Sequence, residues 1–288
     1  MNGILKKILN VVLRRKIYII KPQIVSLSPN ELLQNRTALI TGGGSGIGYE
    51  IARAFIKAGA NVIITGRNNE KLVQSCKKLN DGLGSQCFWL QMDNTDVASF
   101  DRKLKEAQSL VEGRQIDILV NNAGVLTYDT VASENEDKYD NVLDTNLKAP
   151  FFLCQLFGHY MIDNKIEGNI LNIASSSSLR PASTAYTLSK WGVRGLTLGL
   201  AKMLAPYRIT VNGLAPGQTL TNMTTQKHTT ENIVNYNVPL GRFILPEEIA
   251  NMAVVLVSNI GRSILGDIVY MTGGAGNLTY EDMNYNFK

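Results

Sequence analysis

"TALITGGGSGIGYEIARAFIKAGANVIITGRN" occupies residues 37–68, and three patterns follow one another in it. "TALIT" (37–41) is a short β-rich run. From "GIG" onward the apolar residues Ile47, Ile51, Ala52, Phe55 and Ile56 recur at helical spacing. "NVIIT" (61–65) is β-rich again. A strand, a glycine turn, a helix and a second strand make one crossover unit, which joins two parallel strands.

The same alternation continues along the chain. Strand-like runs stand at 85–91, 117–121, 168–175, 209–217 and 266–274. Helical patterns fill the intervals around 69–80, 97–112, 136–162, 186–205 and 246–259, the last opened by Pro246 with acids in its first turn. Repeated crossovers predict an α/β fold, a Rossmann-like doubly wound parallel sheet of about seven strands with helices on both faces. No Pro/Gly-rich linker divides the chain. Residues 37–288 are expected to form one catalytic domain, and residues 1–36 an appended arm.

The 288 residues are 44% hydrophobic, enough for a sizeable core, and carry a formal charge of +5. Much of that excess lies in the arm, where residues 1–30 hold Lys6, Lys7, Arg14, Arg15, Lys16 and Lys21 and no acid. The remainder is close to neutral, which argues against a nucleic-acid groove. On a helix, Ile4, Leu5, Ile8, Leu9 and Val12 share one face, with Lys6, Lys7, Asn10 and Arg14 largely on the other. The arm is neither a signal peptide nor a membrane span. It suits packing on its own domain or a neighbouring subunit, or peripheral contact with anionic lipid at the inner membrane face. Cys76, Cys87 and Cys154 have no metal or disulfide spacing, and His159 and His228 are scattered, so no metal is expected. These features favour a cytoplasmic, reducing setting.

Two stretches carry chemistry. In "TGGGSGIG" (41–48), Gly42, Gly46 and Gly48 permit a tight turn at the start of a helix, where backbone N–H groups and the helix dipole favour a pyrophosphate. The spacing differs from the G-x-G-x-x-G fingerprint. Arg67 follows the second strand where an acid would accept from a ribose. Arginine pairs with phosphate instead, so NADP(H) is preferred over NAD(H). In "SSSSLRPASTAYTLSK" (175–190), Tyr186 and Lys190 are four apart on a helix and share a face. A lysine ammonium beside a tyrosine is expected to lower the phenol's pKa and fit it for acid/base work.

These motifs identify the chain as resembling the short-chain dehydrogenase/reductase family, in its compact single-domain branch. The likeness runs from Thr37 to about Gly274. It includes "TGGGSGIG", Asp93 in "MDNTD", "NNAG" (121–124), Asn146 in "DTNLKAPFF", "YTLSK", and "APGQTLTNM" (215–223). The resemblance implies catalysis by Asn146, a serine, Tyr186 and Lys190, with Asn146 holding a water in a proton relay to the lysine. It implies a cofactor site of Gly42, Ser45, Gly46, Ile47, Gly48, Arg67, Asp93, Asn94, Asn122, Ala123, Gly124, Tyr186, Lys190, Pro216, Gly217, Thr219 and Thr221. The family most often places its serine thirteen residues before the tyrosine, which here is Ile173. Aligning from the strand instead gives Ser175, with Ser176 as the alternative and a loop two residues shorter than usual.

The implied activity is NAD(P)-dependent interconversion of a carbonyl and a secondary alcohol, as in a carbonyl reductase. The polar stretch 218–240 favours a small polar substrate such as a sugar, polyol or keto acid. The alternatives are a 3-oxoacyl-(acyl-carrier-protein) reductase-like enzyme and a non-catalytic NADP-binding sensor. Family members commonly assemble through the helices before and carrying the tyrosine, so a homodimer or homotetramer is expected. "FFLCQLFGHYM" (151–161) is apolar on more than one face and suits such an interface.

Overall fold

A computed structural model describes residues 31–83, 86–221 and 233–278. Seven strands form one sheet: β1 (Thr37–Thr41), β2 (Asn61–Gly66), β3 (Cys87–Gln91), β4 (Ile118–Asn121), β5 (Asn169–Ile173), β6 (Thr210–Pro216) and β7 (Ile268–Met271). Their order is β3-β2-β1-β4-β5-β6-β7, and every pairing is parallel. The helices are α1 (Gly46–Lys57), α2 (Asn69–Leu83), α3 (Phe100–Leu110), α4 (Glu136–Leu143), α5 (Ala149–Asp163), α6 (Ala185–Leu204) and α7 (Pro246–Val257). The expected doubly wound α/β architecture is present, with strand order reversing between β1 and β4. That point, at the carboxyl ends of the strands, is where such sheets place ligands.

Both faces of the sheet are covered, so its central strands are apolar on both sides. In β1, Ala38 and Ile40 face a core with Phe55 of α1, Leu72 of α2 and Ala253 of α7. Leu39 faces the opposite core, with Leu104 of α3, Phe157 of α5 and Leu204 of α6. This alternation is the period-two geometry of a strand.

Three local features differ from expectation. The helix predicted over 136–162 is broken by a π-helical turn, Asp144–Lys148, between α4 and α5. Hydropathy does not reveal one extra residue per turn. The loop after Ser175 begins with a 3₁₀-helix, Ser176–Leu179. Residues 31–36, assigned by sequence to the arm, pack with the domain. Leu33 is fully buried, and its N–H bonds to the Ala58 carbonyl at 2.8 Å. Arg36 pairs with Asp117 and donates to Asn169 Oδ1 at 2.6 Å and to the Val257 carbonyl at 3.3 Å. Asp117 also caps β1 through the Thr37 N–H at 2.8 Å. Burial pushes the Asp117 carboxyl up, and Arg36 acts against that.

The amphipathic segment 1–30 lies outside the described residues, as does part of the polar stretch, 222–232. No helix among the described residues is long and apolar enough to cross a membrane.

Candidate active site

A cavity of about 450 Å³ opens at the carboxyl ends of β1, β2, β4, β5 and β6. The glycine turn forms one side. Gly42 and Gly46 have φ of 65° and 57°, which only glycine adopts readily. At α1 the N-cap Ser45 makes no side-chain cap bond and the first turn holds no acid. The first N–H groups of the helix therefore remain available for an anion. Gly48 lies behind this surface and does not line the cavity. A Cβ there would stand 2.4 Å from Asn122 Nδ2 and 2.6 Å from the Gly42 carbonyl. The residue lets α1 approach the end of β4.

Asn122 stitches β4 to β1 at the reversal point. Its Nδ2 donates to the Thr41 and Gly42 carbonyls at 2.9 and 3.2 Å, and its N–H to Thr41 Oγ1 at 3.0 Å. Asn122, Ala123 and Gly124 then line the cavity. Asp93 and Asn94 line it further out, and Asp93 is braced by Thr95 through two 2.9 Å bonds. Arg67 lies at the rim together with Lys71, whose Nζ donates to Ser45 Oγ at 2.8 Å. Sequence reasoning missed Lys71. A signal existed: a lysine in the first turn of α2 sits where the helix dipole disfavours a cation.

The other end holds Ser175, Tyr186 and Lys190. Ser175 follows β5 and caps the 3₁₀-helix, its Oγ accepting from the Ser177 N–H at 3.1 Å. Ser175 also acts electrostatically on the Tyr186 phenol. Ser176 does not line the cavity. Thr184 caps α6 by accepting from the Thr187 N–H at 3.0 Å, which sets Tyr186 in the first helical turn. Lys190, one turn on, donates to the Ile173 carbonyl at 2.9 Å. Its Nζ stands 5.7 Å from the centre of the Tyr186 ring.

The expected lowering of the tyrosine is not found. Burial pushes the Tyr186 phenol up, and only the Ser175 hydrogen bond opposes it. Burial also pulls Lys190 down to about 8. Loss of water disfavours both charged forms, and it outweighs their mutual attraction.

Asn146 is buried within the π-turn and does not line the cavity, although its neighbour Thr145 does. Its Oδ1 accepts from the Val125 N–H at 2.8 Å, and its Nδ2 donates to the Val125 carbonyl at 2.9 Å and to Ser189 Oγ at 3.2 Å. The side chain thus fixes the "NNAG" segment against α6. The remaining predicted residues, Ile47, Pro216, Gly217, Thr219 and Thr221, all line the cavity.

The cavity suits a dinucleotide by this structure's own features: an open helix N-terminus, two positive-φ glycines and a cationic rim. The described residues contain no cluster of groups able to hold a metal ion.

Comparison with known proteins agrees with this fold. The profile of the family described as short chain dehydrogenase matches residues 36–232. The chain is 37% identical over 251 residues to the 3-oxoacyl-(acyl-carrier-protein) reductase FabG of Chlamydia muridarum, covering 85% of this chain and 99% of that protein. It is 35% identical over 248 residues to the 2-dehydro-3-deoxy-D-gluconate 5-dehydrogenase of Bacillus subtilis, covering 84% and 95%. A short-chain type dehydrogenase/reductase from Mycobacterium marinum superposes with a TM-score of 0.79 at 28% identity, covering 86% and 99%.

Proposed function

The chain belongs to the short chain dehydrogenase family, and from that premise we propose that it interconverts a carbonyl and a secondary alcohol on a small polar substrate, with NADP(H) preferred. The observation that carries this reading is the convergence of Ser175, Tyr186 and Lys190 at one end of a cavity whose other end is a glycine turn and a cationic rim.

A nicotinamide cofactor, when bound, supplies or takes up the hydride. Ser175 and Tyr186 hold the substrate oxygen between two hydroxyls. A phenol pushed up by burial stays protonated at neutral pH, which suits it to give its proton in the reductive direction. Lys190 would hold the cofactor's ribose and offset the charge left on Tyr186. The Asn146 side chain is committed to Val125, so a relay water would be held by its backbone carbonyl. Arg67 and Lys71 would receive a 2′-phosphate.

The test is oxidation of NADPH and NADH against a panel of polyols, keto acids and acetoacetyl thioesters, with Arg67→Ala beside the parent. Loss of roughly tenfold or more with NADPH alone is expected. Equal loss with both cofactors refutes the phosphate role. Reduction of a 3-oxoacyl thioester is the second reading, favoured by likeness to the Chlamydia muridarum protein. The name of the Bacillus subtilis relative supports the first.

A second copy of the chain is the proposed partner of the α5 and α6 surface. There Phe151, Leu188, Trp191 and Leu198 are exposed. A Cβ on Gly195 or Gly199 would meet nothing. Light scattering that finds a dimer or tetramer supports this, and a monomer refutes it.

A further inference from the structure

We infer that Ser189 is a positioning residue, one that ties Tyr186 through Asn146 to the cavity wall formed by Ala123, Gly124 and Val125; this rests on the carbonyl–alcohol reading above. Three observations lead to it.

First, Ser189 joins two parts of the site that separate elements supply. It lies on α6 between Tyr186 and Lys190 and is fully buried. Its Oγ donates to the Tyr186 carbonyl at 2.7 Å and accepts from Asn146 Nδ2 at 3.2 Å. Asn146 stands on the π-turn before α5. Its amide grips the Val125 backbone at both the N–H and the carbonyl. Val125 and the two residues before it line the cavity, as does Tyr186. A hydrogen-bonded strut therefore runs from Val125 through Asn146 and Ser189 to the backbone of Tyr186.

Second, the donors in this strut are committed. A primary amide has two N–H donors. Asn146 gives to the Val125 carbonyl and to Ser189 Oγ. A serine has one O–H, and Ser189 gives it to the Tyr186 carbonyl. Its oxygen is then left to face Asn146 as an acceptor. Asn146 is itself buried, so loss of the Ser189 hydroxyl strands an N–H away from water and frees the amide to turn.

Third, the hydroxyl is not there for the helix. Alanine is the better helix former, and a hydroxyl bonded back onto the preceding turn does not strengthen a helix. The start of α6 is already capped by Thr184. What Ser189 adds is the link to Asn146. Proton and hydride transfer need the phenol and the cofactor in register, and a displacement of about 1 Å costs roughly a hundredfold in rate.

The experiment assays the full chain and its Ser189→Ala and Ser189→Cys variants on the panel of polyols, keto acids and acetoacetyl thioesters. Each is assayed with NADPH and NADH. On the substrate and cofactor the parent turns over best, Ser189→Ala should lower kcat roughly tenfold or more. Its KM, and the Kd for the cofactor by fluorescence titration, should stay within about twofold of the parent. Ser189→Cys keeps nearly the same shape with a weaker donor and acceptor, so its kcat should fall between the two. Unchanged cofactor binding verifies that the variants fold. A kcat for Ser189→Ala equal to the parent's overturns the inference. So does a loss spread over kcat, KM and cofactor Kd together, which marks general loosening. Either result leaves the carbonyl–alcohol reading standing. A parent that turns over nothing in the panel overturns both.

Discussion

Replacing Lys190 with methionine should abolish turnover yet raise stability at neutral pH, and the gain should shrink as pH rises. Lys190 is 5% exposed, and burial pulls its ammonium from 10.5 to about 8. Below the lower value both folded and unfolded chains carry the proton, and the folded state bears the full cost of a charge held away from water. Between the two values the unfolded chain keeps a proton that the folded chain has released, so stability rises with pH. At ~1.36 kcal/mol per unit the cost is about 3 kcal/mol at pH 7. At pH 9.5 less than half of it remains. Methionine fills comparable space without charge, but it deprives the Ile173 carbonyl of its 2.9 Å donor, a loss of about 1–3 kcal/mol. That loss is the same at every pH. The diagnostic is therefore the pH-dependent part: the variant's advantage should fall by about 2 kcal/mol from pH 7 to pH 9.5. Equilibrium urea unfolding at both values, read by tryptophan fluorescence, measures it. A stability difference that does not move with pH would refute the burial argument.

Ser175→Ala should reduce kcat roughly a hundredfold or more, and Ser176→Ala only a few-fold, because only Ser175 lines the cavity beside Tyr186; the reverse order in steady-state kinetics would move the serine by one position. Gly48→Ala forces a methyl against Asn122 and the Gly42 carbonyl. Thermal unfolding should show a loss of about 2–4 kcal/mol, with weakened dinucleotide binding by titration. Arg242 holds Glu248 down to about 2, so their pair contributes above the ordinary carboxylate range and is lost as pH falls toward that value. The stability gap between the parent and Glu248→Gln should accordingly close in acid unfolding curves, and a gap that persists at about pH 2 contradicts the pairing.

The seven strands are legible in the sequence because each is a short β-rich run between turn residues. The glycine turn and the Tyr186–Lys190 pair are legible because their function depends on spacing, and spacing is what a sequence records. Other features depend on distance in space. Nothing local distinguishes Arg36 from a basic residue of the arm; its partners Asp117 and Asn169 come from two other strands. The π-turn at Asn146 falls within a run whose apolar pattern fits an ordinary helix. The direction of the Tyr186 shift is not legible, because charge proximity can be read from spacing while desolvation is a property of the finished fold.

The six residues before β1 bear on how far the chain can be shortened. The family profile begins at residue 36, and a truncation placed there would look safe. It would remove Leu33, which fills the core beside α1, and open a void under that helix. A cut one residue later would also strand Asp117, a carboxylate already disfavoured by burial, without the arginine that neutralises it. Because Asp117 also bonds the first N–H of β1, the damage would travel up that strand to the glycine turn. Deletions that probe the basic arm should therefore stop before Glu31, so that an effect on lipid or subunit contact is not confused with a loosened dinucleotide site.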